Sequence, residues 1–326
     1  MPSATTVAIW AAQPAAKQNK RMKIICIGEC SLNIVLDHTG RPMGAMPGGR
    51  IVNAAAILAG LKNNVVMASE AAADPVGDIV ANFLTTAGVD LASLDRFTEG
   101  RTPLNIFICK PGDTLVSSAS ITRYDEYPEE GFDIIWPRVD EGDVVLYGGH
   151  YAIDARMRPR LSKFLENAAE RKCVMVYLPG FLPQQEPRIT RVMPAILENL
   201  ELANLVVARN KDLELIFGLK HPEQCYHDHI DFYCRSMINV DTECSHITYY
   251  AGKEMTQVDI PASTSATMIW NAGAVAGIVA AIAEMNMMPD AFTETTDDVR
   301  RRILTAAALS ANEAAKTLSQ TWQNLQ

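Results

Sequence analysis

The sequence has no Cys-x-x-Cys pair, no apolar run long enough to cross a membrane, and fewer cations than anions. Seven cysteines, Cys26, Cys30, Cys109, Cys173, Cys225, Cys234 and Cys244, are scattered singly. Their spacing fits neither a zinc site nor a redox motif. Cys26, Cys109 and Cys173 sit in apolar runs, where cysteine acts as a small buried hydrophobe, and a reducing cytoplasm is the expected compartment. The longest apolar region, Ala272 to Ala283, falls short of the roughly 18 residues a membrane span needs. With 29 Lys and Arg against 38 Asp and Glu, the net charge is −9. A nucleic-acid partner, which needs a basic face, is not expected. Internal repeats and low-complexity segments are missing too.

What is present is a chain of 326 residues, 48% hydrophobic and 21% charged, enough for one large α/β domain with a substantial core. Residues 1–21 place their basic residues after an apolar patch, the wrong order for a secretory signal. They are expected to form a disordered tail, with Met22 as a candidate start. From there "MKIICIGE" reads as a buried parallel strand, and "GGRIVNAAAILAGL" places Ile51, Ala55, Leu58 and Leu61 at helical spacing. "NVVMASEAA", "GDVVLYGG", "CVMVYLPG" and "ANLVVARN" are further strands. Helices are expected over 157–171, 189–202, 219–236, 273–286 and 297–318, and one ending at Gly88. This alternation implies a doubly wound, mostly parallel sheet with helices on both faces and ligands at the strands' carboxyl ends. Two stretches break it: 31–47 and 98–127 read as hairpins, and are expected to form a small β-sheet lid on a single domain over 22–326.

The strongest local signal is "PGGRIVNAAAILAGL". Gly48 and Gly49 let backbone approach a ligand closely, and the Asn53 amide can both donate to and accept from a hydroxyl. An ordinary Gly-Gly turn before a helix would look the same. "CYHDHIDFYC", with His227, Asp228 and His229, lacks the four-residue spacing of a helical histidine pair and reads as a polar surface.

Gly28-Glu29 after the first strand, the Gly-Gly-x-x-x-Asn motif, "DPVGDIVANFLTTAGVDLASL", "ANLVVARNKDLELIFG", "NAGAVAG" and "ILTAAALSANEAA" occur in one order. Together they resemble the ribokinase-like (PfkB) carbohydrate kinases over residues 22–318. The resemblance implies a sugar or sugar acid between lid and sheet, ATP and Mg²⁺ beside it, no metal cluster or organic prosthetic group, and a homodimer through the lid. It also implies an aspartate base closing a motif Asp-Thr-x-Gly-Ala-Gly-Asp, whose Gly-Ala-Gly amides form an anion hole at a helix N-terminus.

On this chain that motif becomes Met268-Ile269-Trp270-Asn271-Ala272-Gly273-Ala274. The anion hole maps to Asn271, Ala272 and Gly273, while Ala274 stands at the base position and cannot accept a proton. No Asp or Glu occurs between Asp259 and Glu284, so shifting the register restores no base. The family's Asn-x-x-Glu, which organises Mg²⁺ through water, maps to Arg209 and Asp212. Asp212 keeps a carboxylate, and Arg209 puts a cation where the metal approaches. The nucleotide loop maps to "VDTECS", with Thr242 and Ser245 in place of glycines. On the sugar side an aspartate is replaced by Asn33, while Gly48, Gly49 and Asn53 are intact. Arg101 could reach an acidic or phosphorylated ligand, although a surface position is the simpler reading for it, as for Arg123 and Tyr124. Three readings follow: a degenerate kinase that keeps its sugar cleft, an active kinase with a substitute base, and a structural subunit pairing through its lid.

Overall fold

The computed structural model describes residues 22–111, 120–128, 133–240, 246–260 and 267–323. The expected tail over 1–21, and Thr242 and Ser245, lie outside them. The strands are β1 (Lys23–Ile27), β2 (Ser31–Leu36), β3 (Pro42–Gly48), β4 (Asn64–Glu70), β5 (Asp90–Asp95), β6 (Arg101–Ile108), β7 (Ser120–Glu126), β8 (Val144–Gly148), β9 (Val174–Leu178), β10 (Leu205–Ala208), β11 (Ser236–Asn239), β12 (His246–Ala251) and β13 (Glu254–Asp259). The helices are α1 (Arg50–Gly60), α2 (Pro75–Ala87), α3 (Arg158–Glu170), α4 (Ile189–Leu202), α5 (Asn210–Phe217), α6 (Pro222–Cys225), α7 (Thr267–Glu284) and α8 (Asp297–Gln323).

Nine strands form the main sheet in the order β13-β12-β11-β10-β9-β8-β1-β4-β5. The run from β11 to β5 is parallel, and β12 and β13 finish one edge antiparallel. Successive side chains of a strand point to opposite faces, so each central strand feeds two cores. Ile24 and Cys26 of β1 pack with α1, α7 and α8, whereas Ile25 and Ile27 pack with α3 and α4. This two-sided burial explains why the parallel strands read as continuous apolar runs.

The lid is a separate four-stranded sheet, β3-β2-β6-β7. Its two hairpin strand pairs are joined through a parallel β2–β6 pairing that places Asn33 beside Asn105, and Asn105 beside Arg123 on β7. Those three residues share one lid face, which looks onto the carboxyl end of β1.

Three segments depart from expectation. α7 starts at Thr267, six residues before the expected 273, because no proline interrupts 267–284 and packing against α8 offsets the low helix propensity of Gly273 and Gly277. The 219–236 stretch is no continuous helix. Gly218 ends α5 in a left-handed conformation, α6 is one turn, Tyr226–Ile230 forms a wide π turn, and β11 begins at Ser236. β5, "DLASLD", pairs with β4 at the sheet edge, although its weak alternation gave no strand signal.

Candidate functional site

The Gly48-Gly49 turn sits where β3 hands over to α1. Gly49 has φ +93°, and a Cβ there would lie 2.5 Å from the Glu29 carbonyl oxygen. A Cβ at Gly48 would stand 2.2 Å from Ser31 Oγ and 2.6 Å from Asn33 Oδ1. Glycine is therefore required at 49 by the backbone itself, whereas a Cβ at 48 would displace the Ser31 and Asn33 side chains. Asn53 Nδ2 donates to the carbonyls of Pro47 and Gly49, at 3.0 and 2.9 Å. Its side chain braces the turn.

Above that turn, Asn105 Nδ2 donates to Asn33 Oδ1 at 2.9 Å. Arg123, expected on the surface, is instead the centre of the cluster, with only 13% of its side chain exposed. Its Nη2 and Nη1 reach the two Glu29 oxygens at 2.5 and 3.1 Å, and its Nε reaches Asp125 at 2.6 Å. Tyr127 donates its hydroxyl to Glu29 at 2.7 Å. With its amide oriented to satisfy both neighbours, Gln185 accepts from Arg123 at 2.8 Å and donates to His150 Nε2 at 3.2 Å. Arg156 lies 4.1 Å over the Tyr127 ring. Lid and main sheet are thus joined by charge-assisted bonds through the Arg123–Glu29 pair. Burial, the largest single influence on Arg123, favours its neutral form, but Glu29, Tyr127 and Asp125 together outweigh it and hold the guanidinium more firmly charged.

Beside this cluster Glu70, buried at the end of β4, accepts a hydrogen bond from the Tyr151 hydroxyl. Burial pushes its carboxyl well above the usual 4.5, opposed by Tyr151 and reinforced by the charge of Glu29. A folded-state pKa raised above the unfolded one leaves stability intact below about 4.5 and removes it as pH rises through the folded value. Glu70→Gln should therefore melt with the parent near pH 4.5 and a few degrees above it at pH 8, as read by calorimetry. An equal gap at both pH values would show that Glu70 does not titrate in this way.

The remaining candidates lie apart from the cluster. Arg101 is 79% exposed and pairs with Glu126 across β6 and β7. In α7 the helical ladder begins at Thr267, so the amides of Asn271, Ala272 and Gly273 fall past the free first turn and are engaged within the helix. Ala274 is fully buried, as is Trp270, whose Nε1 donates to Asn312 of α8 at 3.2 Å. A Cβ on Gly273 would lie 2.8 Å from Ala311 Cα, and one on Gly277 2.3 Å from the Ala306 carbonyl oxygen. These glycines let α7 and α8 touch.

Asp212 opens α5 at the carboxyl end of β10. Arg209 grips it at 2.6 and 2.8 Å, and Arg50, the residue after the Gly-Gly turn, at 3.1 Å. Burial pushes this carboxyl up, but Arg209 and then Arg50 prevail and hold it at about 2. Burial also pulls Arg50 down to about 10. Arg50 further donates to the Pro179 carbonyl at 3.2 Å, tying the turn to the end of β9.

The pfkB family carbohydrate kinase profile matches residues 21–230, well over half of the chain. The chain belongs to the pfkB family of carbohydrate kinases. Solved structures with the same fold include aminoimidazole riboside kinase from Salmonella enterica, with TM-score 0.70, 14% identity, and coverage of 90% of this chain and 93% of that one. Fructokinase from Vibrio cholerae O395, bound to fructose, ADP and calcium, gives TM-score 0.72 at 16% identity, covering 90% and 92%. Fructokinase from Xylella fastidiosa with bound ATP gives 0.71 at 15%, covering 90% and 91%. No curated protein sequence matches the chain.

Within this family frame, Glu29, Asn105, Arg123, Tyr127, His150 and Gln185 were missed as a group by the sequence reading. The available signals were Gly28-Glu29 and Gly148-Gly149-His150, each closing a buried strand, since the others converge only through the lid pairing. The residues do not fit a Mg²⁺ ion at α5. The Asp212 carboxylate is spent on two guanidiniums, which leave a net positive centre there. Among the described residues no group of three or more His, Cys, Asp or Glu could hold a metal. No described helix is long and apolar enough to cross a membrane.

Proposed function

We propose that this pfkB-family protein binds a sugar or sugar acid between its lid and main sheet, and transfers phosphate from ATP weakly or not at all. The observation that carries this reading is Ala274, with 0% exposure in the α7 core at the position where the family resemblance places the base. The family match also ends at residue 230, ahead of α7. The ligand side argues for retained binding. Asn33 and Asn105 offer amides suited to hydroxyls, whereas the Arg123 guanidinium is already committed to Glu29 and Asp125. Glu29, the carboxylate at the centre of the cluster, is poorly placed to act as a substitute base, because Arg123 and Tyr127 already engage both of its oxygens.

The reading includes a cytoplasmic protein that pairs through its lid, where Ile108 and Tyr124 are exposed on one face. The test is a panel of sugars and sugar acids, followed by thermal shift and by ADP release from ATP and Mg²⁺. Asn33→Ala/Asn105→Ala serves as the control for host kinases. One or more sugars should raise the Tm of the parent only, with ADP release no greater than in the control. Sugar-dependent turnover that the double variant abolishes would overturn the reading.

A further inference from the structure

Along α3 a groove of about 610 Å³ runs between the helix and the irregular segment 133–139. Its floor is apolar, with Trp136 stacked on Phe164 at 4.8 Å. Its walls carry Arg138 from the segment and Arg160, Lys163 and Arg171 from the helix side. The one lining carboxylate, Asp133, approaches Arg160 only to 3.7 Å, and Arg138 approaches Asp140 to 3.4 Å. Neither Lys163 nor Arg171 forms an ion pair among the described residues. On a chain of net charge −9, four cations around one groove reverse the local sign and attract anions.

The spacing selects among anions. Residues 160, 163, 167 and 171 follow at three and four positions, so they share one helical face over roughly 16 Å. A single phosphate spans one or two of these positions. In an extended chain, alternate side chains lie roughly 6.6–6.8 Å apart, close to the roughly 6 Å rise of four helical residues. Carboxylates at alternate positions of such a chain would meet Lys163, Asn167 and Arg171 in turn, and an apolar side chain between them would meet Trp136. The chain's own amino-terminal segment is not the complement, because Lys17, Lys20 and Arg21 lead into β1 with the same charge.

We propose that this groove binds an extended acidic segment of a partner protein, with carboxylates at alternate positions. The proposal is independent of the sugar cleft, so either can fail alone. The test is fluorescence anisotropy of the full-length protein with a fluorescein-labelled octapeptide of alternating Glu and Ser carrying one central Leu. Binding should weaken as salt rises. It should drop roughly tenfold or more in Lys163→Glu/Arg171→Glu at unchanged Tm, and survive Lys163→Arg/Arg171→Lys. No binding, or binding that survives the charge reversal, would overturn the proposal. So would tighter binding of labelled oligouridylate or of ADP to the same residues, or a dimer of this chain that the reversal dissolves.

Discussion

Ala274→Asp, the substitution that puts a carboxylate back at the family's base position, should yield no sugar-dependent ATP turnover and cost about 3–5 kcal/mol of stability. Ala274 is fully buried in the same core as Trp270, Val275 and Ile278. One helical turn to either side lie Trp270, Asn271, Gly277 and Ile278, none of them a cation. With no cation on its own helix face, a carboxylate introduced there is driven by burial toward its protonated form. Its proton has candidate acceptors in Asn271 Oδ1 and, on the facing α8, Ser310 Oγ, both buried without a hydrogen-bond partner among the described residues. A neutral acid held in this way cannot deprotonate a sugar hydroxyl.

The sign of the pH dependence follows. The new group's pKa is raised on folding, so its cost is smallest below the unfolded value and grows as pH rises. Urea unfolding at pH 5 and pH 8, with Ala274→Asn as the neutral isostere, separates charge from bulk. If Ala274→Asp instead gained turnover at undiminished stability, position 274 would face the sugar cleft and the degenerate reading would fail.

The strands of the main sheet were legible because burial on both faces leaves an unbroken apolar run, as in "KIICI" and "VVLYG". The lid was legible from its turns, and Gly88 marked the end of α2 by supplying a left-handed cap. What stayed hidden depends on distance in sequence. Arg123 meets Glu29, 94 residues earlier, only because β6 pairs with both β2 and β7. Gly273 looked like part of a ligand loop because small residues also serve helix contact, and the sequence gives both uses the same letters. Only the partner helix, with Ala311 and Ser310 against that glycine, separates them. Asp212 entered the sequence analysis only through the family resemblance, and nothing in the sequence tied it to Arg50, 162 residues away.

That long-range clamp carries the second large effect. Asp212→Ala should destabilise the protein by about 3–5 kcal/mol at pH 7, because it leaves the Arg50 guanidinium buried beside Arg209 with no carboxylate between them. Replacing the cation as well, in Asp212→Ala/Arg50→Met, should recover much of the loss, since an apolar pair avoids the stranded charge. The acid limb supplies an independent check. A carboxyl at about 2 in the folded protein, against an ordinary 3.8, contributes about 2 kcal/mol above the higher value and loses it as pH falls through the lower one. The gap between parent and Asp212→Ala should therefore narrow by about that amount between pH 4 and pH 2. A gap that stayed constant with pH, or an Asp212→Ala protein as stable as its parent, would mean that the carboxylate is free of the two arginines. It would then be open to a Mg²⁺ ion, and the argument against metal-assisted phosphotransfer at α5 would lose its footing.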